Sequence, residues 1–291
     1  MDPVKTYRYL RLAIIGMVLL VGAAVVHEWW RTGWQCLETS VSSYYYTPAR
    51  PVLVGALVAM GVCLVVIRGS TDAEDILLNV CGAMTPVIAF VPTPGTGEHC
   101  DTASMAQVDV PADVANSVFA LLVLGLAVLI VAFLVAHGQR RRGDGGGGRT
   151  RARLAIATCA YLVTAGTFAG ARSAFIDTAH LAASAVLFLA IISLVTVNAV
   201  LYGREHASGS LRIRDVVNRY AVLAATMAAV AIVMLIFGRV YGWQHAELCI
   251  EGELVTLFAV FWAIQTRELW WRGVRTARAS DEQSPTGSGA G

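Results

Sequence analysis

The chain has 291 residues, of which 56% are hydrophobic and only 14% charged, with a mean hydropathy of +0.62. That composition excludes one or two ordinary soluble domains and places the chain in a bilayer. Its formal net charge of +2 gives no basic-patch argument for nucleic acid, and no nucleic-acid partner is expected. The partners expected are membrane lipids, and the sequence names no protein partner.

Eight apolar runs are separated by polar punctuation, predicting spans at about 9–30, 51–67, 76–92, 114–136, 154–171, 179–203, 220–238 and 247–267. A spanning helix needs about 20 mainly apolar residues, and the shorter runs reach that length by recruiting polar residues at the interface. The fold class expected is all-α: a polytopic transmembrane helix bundle of eight spans. Basic residues are retained on the cytoplasmic side. With the N-terminus inside, every Lys and Arg of the 22 falls inside except Arg31, Arg50, Arg172 and Arg239, which favours an even number of spans and an N-in/C-in topology. The first run follows Lys5, Arg8 and Arg11 as a secretory signal does, but it lacks a small-x-small cleavage site before His27 and reads as a retained helix. One lysine among so many arginines, in an Ala-, Val- and Gly-rich chain, suggests a GC-rich bacterial genome and therefore a bacterial inner membrane.

In chain order, the first span ends at Trp29 and Trp30, where indole rings favour the headgroup level, with His27 and Glu28 beside them. The stretch WWRTGWQCLETSVSSYYYTPARP, residues 29–51, is a polar interval between two apolar runs. Its Tyr44, Tyr45 and Tyr46 read as part of an aromatic belt. Pro51 suits the first turn of the second helix. Arg50 and Glu38 are charges near the outer boundary, where a partner is the rule.

The turn RGSTDAED offers Ser70, Thr71 or Asp72 as a helix cap, with Glu74 and its acidic neighbours solvated or capping. Asn79 is expected to find a partner on another helix, and Pro86 to free a carbonyl and kink the third span. Residues 91–113 read as an outer loop containing His99 and Cys100, a weak metal pair without spaced partners. HGQRRRGDGGGGRTRAR lacks a Gly-Lys-Ser ending and is a linker, 138–153, dividing a first four-helix half (1–137) from a second (154–272). Asp177 and His180 stand three apart at the start of the sixth span, on one helical face. A short interfacial helix is expected near 211–217. In GRVYGWQHAELCIEGE, Gly242, Trp243 and Gln244 echo Gly33, Trp34 and Gln35. The eighth span there draws Glu247, Glu251 and Glu253 toward the outer leaflet. Residues 273–291 read as a disordered tail.

Three cysteines, Cys36, Cys100 and Cys249, map outside, and Cys36 with Cys100 is the preferred disulfide because both lie in long loops; other pairings stay open. Ligand-pocket candidates at the outer face are His27, Glu28, Glu38, Arg50, Asp177, His180, His245, Glu247 and Glu251. No HExxH pattern or nucleophile elbow is present, so no metal centre, no cofactor and no catalytic residue are assigned.

SVSSYYYTPARPVLVGALVAMGVCLVV, LLNVCGAMTPVIAFVPT and DTAHLAASAVLFLAIISL together resemble a family of polytopic bacterial membrane proteins of unknown function, itself similar to the DRAM-like and Sfk-type membrane proteins. The pattern is a Ser- and Tyr-rich outer loop entering a helix, a span ending in Pro-Thr, and a His-Leu-x-Ala start to a later span, over residues 40–93 and 177–195. The resemblance implies a helical bundle concerned with lipids or membrane homeostasis, and it supplies no catalytic residues. The function expected is therefore an integral membrane protein, not an enzyme, whose outward-facing polar pocket binds or passes a lipid-like or small polar ligand. The alternatives are an intramembrane hydrolase or transferase using His180 with Asp177 and an outer-face carboxylate, and a structural subunit of a membrane complex.

Overall fold

In the computed structural model, which describes residues 3–93, 109–141, 147–207 and 212–271, every element among those residues is helical. The helices are α1 (Pro3–Arg31), a 3-10 helix (Ser42–Tyr46), α2 (Arg50–Val66), α3 (Asp72–Phe90), α4 (Val110–Arg141), α5 (Gly147–Gly170), α6 (Arg172–His206), the single turn α7 (Ile213–Val216), α8 (Arg219–Tyr241) and α9 (Ala246–Glu268). Each of the eight apolar runs lies on one of the eight long helices. Six of these, α1, α3, α4, α5, α6 and α8, are long and apolar enough to cross a membrane. At 17 residues α2 is shorter, and α9 carries Glu247, Glu251 and Glu253 in its first turns.

Six helices close a ring in which α1 packs on α2, α2 on α3, α3 on α6, α6 on α8, α8 on α9 and α9 back on α1. Each sends a side chain to the centre: Ile14, Leu64, Leu78, Leu194, Met227 and Phe258 are all at most 2% exposed. Lipid tails are as apolar as leucine, so close packing rather than escape from water holds such a ring together. At the α2–α3 seam a Cβ on Gly61 would stand 2.9 Å from the Gly82 carbonyl, and one on Gly82 would stand 2.7 Å from the Gly61 carbonyl. Only two glycines admit that approach. Pro86 lies four residues after Gly82 inside α3, so the Gly82 carbonyl at this contact is the one that proline deprives of its helical donor.

The remaining pair, α4 and α5, stands beside the ring, α4 against α3 and α5 against α6. Their apolar side chains face outward, Leu134 at 66% and Leu162 at 61% exposed. Packing therefore runs across the glycine linker, joining α1–α3 to α6, α8 and α9. Most of 138–153 is helical, because α4 continues to Arg141 and α5 begins at Gly147; an apolar run marks where lipid ends, whereas a helix continues while its backbone bonds do.

The expected tail, His99 and Cys100 lie outside the described residues. Thr71 caps α3, its hydroxyl accepting the Glu74 N–H at 3.3 Å. Asn79, expected to reach a second helix, is exposed and donates to the Asp75 carbonyl of its own. α6 starts at Arg172, so Asp177 and His180 sit inside the helix rather than at its start. The Gly-Trp-Gln echo marks two helix ends of one kind: Gly33 and Gly242 both take left-handed backbone, at φ 68° and 63°, just past α1 and α8, the conformation glycine adopts without penalty.

Candidate functional site

After α1, the left-handed Gly33 and Trp34 reverse the chain so that residues 38–49 lie across one mouth of the ring. The Ser40 hydroxyl accepts the Ser43 N–H at 3.0 Å, starting the 3-10 helix as a serine turn does. The Thr47 hydroxyl donates to the Tyr44 carbonyl at 2.8 Å, closing it. Tyr44, Tyr45 and Tyr46 are 1%, 3% and 5% exposed. They are not a lipid-facing belt; they are buried with Val21, Leu53 and Ala56 of α1 and α2, because this segment folds inward over the ring. Burial raises all three phenols, Tyr44 and Tyr46 to about 12, while the Arg50 guanidinium partly offsets the effect at Tyr45.

This lid and α9 satisfy each other's orphan backbone donors. The Leu248 N–H, in the first turn of α9, donates to the Thr39 carbonyl at 2.9 Å. In return the Glu251 carboxylate accepts the Val41 and Ser42 N–H groups at 2.6 and 3.2 Å and lies 3.3 Å from the Ser42 hydroxyl. Four N–H groups at each helix start lack an internal partner, and a carboxylate there adds charge-assisted bonds. A His245 ring nitrogen lies 3.3 Å from the Glu38 carbonyl. The far side of the lid is tied by the Tyr46 hydroxyl, which donates to the Thr93 carbonyl at 2.8 Å. There Arg50 stacks 4.1 Å from the Tyr45 ring and donates to its hydroxyl and to Asp113, each at 2.7 Å.

Beneath the lid is a narrow cavity of about 70 Å³ between α1, α2, α3, α6 and α9. Apolar side chains such as Leu57, Met60 and Leu187 form most of its wall, and Ser42, Thr85, Ser184 and Glu251 supply its polar groups. The Thr85 hydroxyl is engaged with the Cys81 carbonyl at 2.6 Å. Glu251 thus both lines the cavity and fastens its cover.

Of the residues expected to form an outer site, Glu38, His245 and Glu251 meet at the lid, and Arg50 secures its other edge. Glu28 is buried and paired with Arg31 at 2.6 Å. His27, Asp177 and Glu247 are exposed, His27 edge-on to Trp30. His180 is turned inward, with Nδ1 2.6 Å from the Val91 carbonyl, so it does not share a site with Asp177. Cys36 is disulfide-bonded, whereas Cys63, Cys81, Cys159 and Cys249 are free; Cys100, the expected partner, lies outside the described residues. Among the described residues no three His, Cys, Asp or Glu side chains are grouped to hold a metal ion.

Sequence reasoning missed a second polar cluster. Glu74 is 4% exposed, not solvated. Its carboxylate accepts from the Asn198 amide of α6 at 3.1 Å, the Gln265 amide of α9 at 3.5 Å and the Ser70 N–H at 2.7 Å. Gln265 also donates to Asn198 Oδ1 at 2.8 Å. The available signal was an uncharged amide inside each of two apolar runs, since such groups seek partners on neighbouring helices. This cluster lies at the end of α3 opposite the lid.

A ring of long apolar helices, six of the chain's helices being long and apolar enough to cross a membrane, is that of a multi-pass integral membrane protein. No protein-family model, curated protein or solved structure matches the chain.

Proposed function

We propose that the protein spans a bacterial inner membrane eight times, N-in/C-in, and binds or passes a small lipid-like ligand through the cavity under an outward-facing lid. The eight-span reading draws on the positions of the basic residues and on the reach of the helices. Seventeen residues of α2 cover about 26 Å at ~1.5 Å per residue, close to the ~30 Å hydrocarbon core. The relation to a lipid-associated membrane family belongs to the same proposal.

One observation carries the ligand reading: Glu251 lines the cavity and caps the lid with the same carboxylate. The cavity, at about 70 Å³, admits a few water-sized groups and is well below the ~300–1,000 Å³ of ordinary ligand pockets. A larger ligand enters only when the bonds between Glu251 and the lid part. Geometry gives no comparable support to a hydrolase, since Asp177 and His180 do not face a common space.

The test combines a cavity thiol, Ser184→Cys, with Glu251→Gln. Labelling of the new cysteine from the outer side of sealed vesicles by an impermeant maleimide should rise when Glu251 is replaced. Hexanol and hexanoate, as short lipid-like probes, should raise the unfolding temperature of the unmodified protein but not of Ser184→Leu, whose side chain fills the cavity. An unchanged labelling rate together with an unchanged probe response would overturn the reading.

A further inference from the structure

A groove between α4 and α5 belongs neither to the lid nor to the cavity beneath it. Its volume is about 700 Å³, within the ~300–1,000 Å³ range of ligand pockets. Phe133, Leu154 and Leu162 give it an apolar floor, and His137 and Arg151 stand in its wall toward the helix ends. Those ends lie opposite the lid: α4 begins where Asp113 meets Arg50, and Arg153 of α5 pairs with Asp72 at the start of α3 at 3.1 Å. Arg141 donates through Nε to His137 Nε2 at 3.1 Å, placing a second guanidinium at the mouth.

We propose that this groove binds an anionic phospholipid of the surrounding bilayer, an acyl chain on the apolar floor and the phosphate at Arg151 and Arg141. Guanidinium groups hold phosphate through paired, charge-assisted bonds. Basic pockets between spanning helices at the membrane surface suit acidic headgroups. The membrane is the source because the floor is open to lipid: Leu162 and Val163 are 61% and 59% exposed. A free anion would make no use of that floor. The lipid would also complete the packing of α5, none of whose residues between Arg153 and Gly170 is buried by the protein.

The full chain in detergent is mixed with phosphatidylglycerol or with phosphatidylcholine of the same acyl chains. Retained lipid is read by native mass spectrometry and stability by thermal unfolding. Phosphatidylglycerol should be retained and should raise the unfolding temperature above that with phosphatidylcholine. Arg151→Gln should weaken its binding roughly fivefold, the effect of losing one surface cation. Ala155→Phe, which fills the floor without touching a charge, should also displace it. Arg214→Gln, a basic residue outside the groove, should change neither reading. Equal retention of the two lipids overturns the proposal, as does phosphatidylglycerol binding that survives both groove variants. Stabilisation reproduced by inorganic phosphate alone, or an Arg214→Gln loss as large as that of Arg151→Gln, likewise overturns it.

Discussion

Glu251 accepts the backbone N–H of Val41 at 2.6 Å across 210 residues of sequence, so the last long helix holds the first loop in place. Removing the carboxylate leaves two lid donors without their acceptor. Glu251→Ala is expected to cost about 1–3 kcal/mol, the range for leaving buried donors without an acceptor, and Glu251→Gln less. Denaturant unfolding in micelles checks this against Glu247→Ala, whose exposed side chain serves as the control. A loss no larger than the control's would show that the lid does not depend on Glu251.

At the other end of the ring, Asn198→Leu takes a donor from the buried Glu74 and an acceptor from Gln265. The expected loss is about 2–4 kcal/mol, since truncating one partner leaves buried polar groups unsatisfied. Gln265→Leu alone should be milder, because its bond to Glu74 is the longer one. The double variant should lose less than the sum of the two, as residues of one network couple. Strict additivity in the unfolding cycle would mean that the amides act independently.

Gly82→Ala drives a methyl group to within 2.7 Å of the Gly61 carbonyl and 2.5 Å of a Val65 methyl. The backbone oxygen cannot rotate away, so α2 and α3 must separate, at about 1–3 kcal/mol. Gly22→Ala on α1 meets nothing within 4 Å and should be neutral or slightly stabilising, alanine being the better helix former. Thermal unfolding of both variants discriminates packing from propensity; equal shifts would remove the close-contact argument.

The lid tyrosines give a pH dependence with a definite sign. Burial holds Tyr44 near 12 against 10.0 for the free phenol, so the folded protein resists its ionisation more than the unfolded chain does. Its contribution to stability is complete below about pH 10 and is lost as pH rises toward about 12. Each tenfold change in an acid's ionisation constant is worth about 1.4 kcal/mol, which makes the loss about 2–3 kcal/mol. Tyr44→Phe should flatten the decline in unfolding temperature between pH 9.5 and 12 (roughly the interval bounded by the two pKa values). An identical slope in the variant would mean that the phenol is solvated.

The sequence by itself determined the helices and their class. A run of apolar residues long enough to cross lipid has no hydrogen-bond partners there except its own backbone, so each of the eight runs became a helix. Local chemistry was legible in part: of the three caps the turn RGSTDAED offers, Thr71 is the one that closes the start of α3, whereas the Gly-Trp-Gln echo showed its meaning as two left-handed helix ends only in the structure. Neighbourhood was not legible. Glu74 and Asp72 look alike in the turn RGSTDAED, yet Glu74 is buried among amides of α6 and α9 while Asp72 meets Arg153 at the surface. Tyr44, Tyr45 and Tyr46 have the composition of a belt, but the reversal at Gly33 carries them under cover. Only the tertiary structure decided that α4 and α5 stand outside the ring and that Glu251 faces the lid while Glu247 faces away. Apolar periodicity constrains helices weakly in a chain that is apolar on nearly every side, and the partners of the few polar groups are fixed by where six helices happen to close.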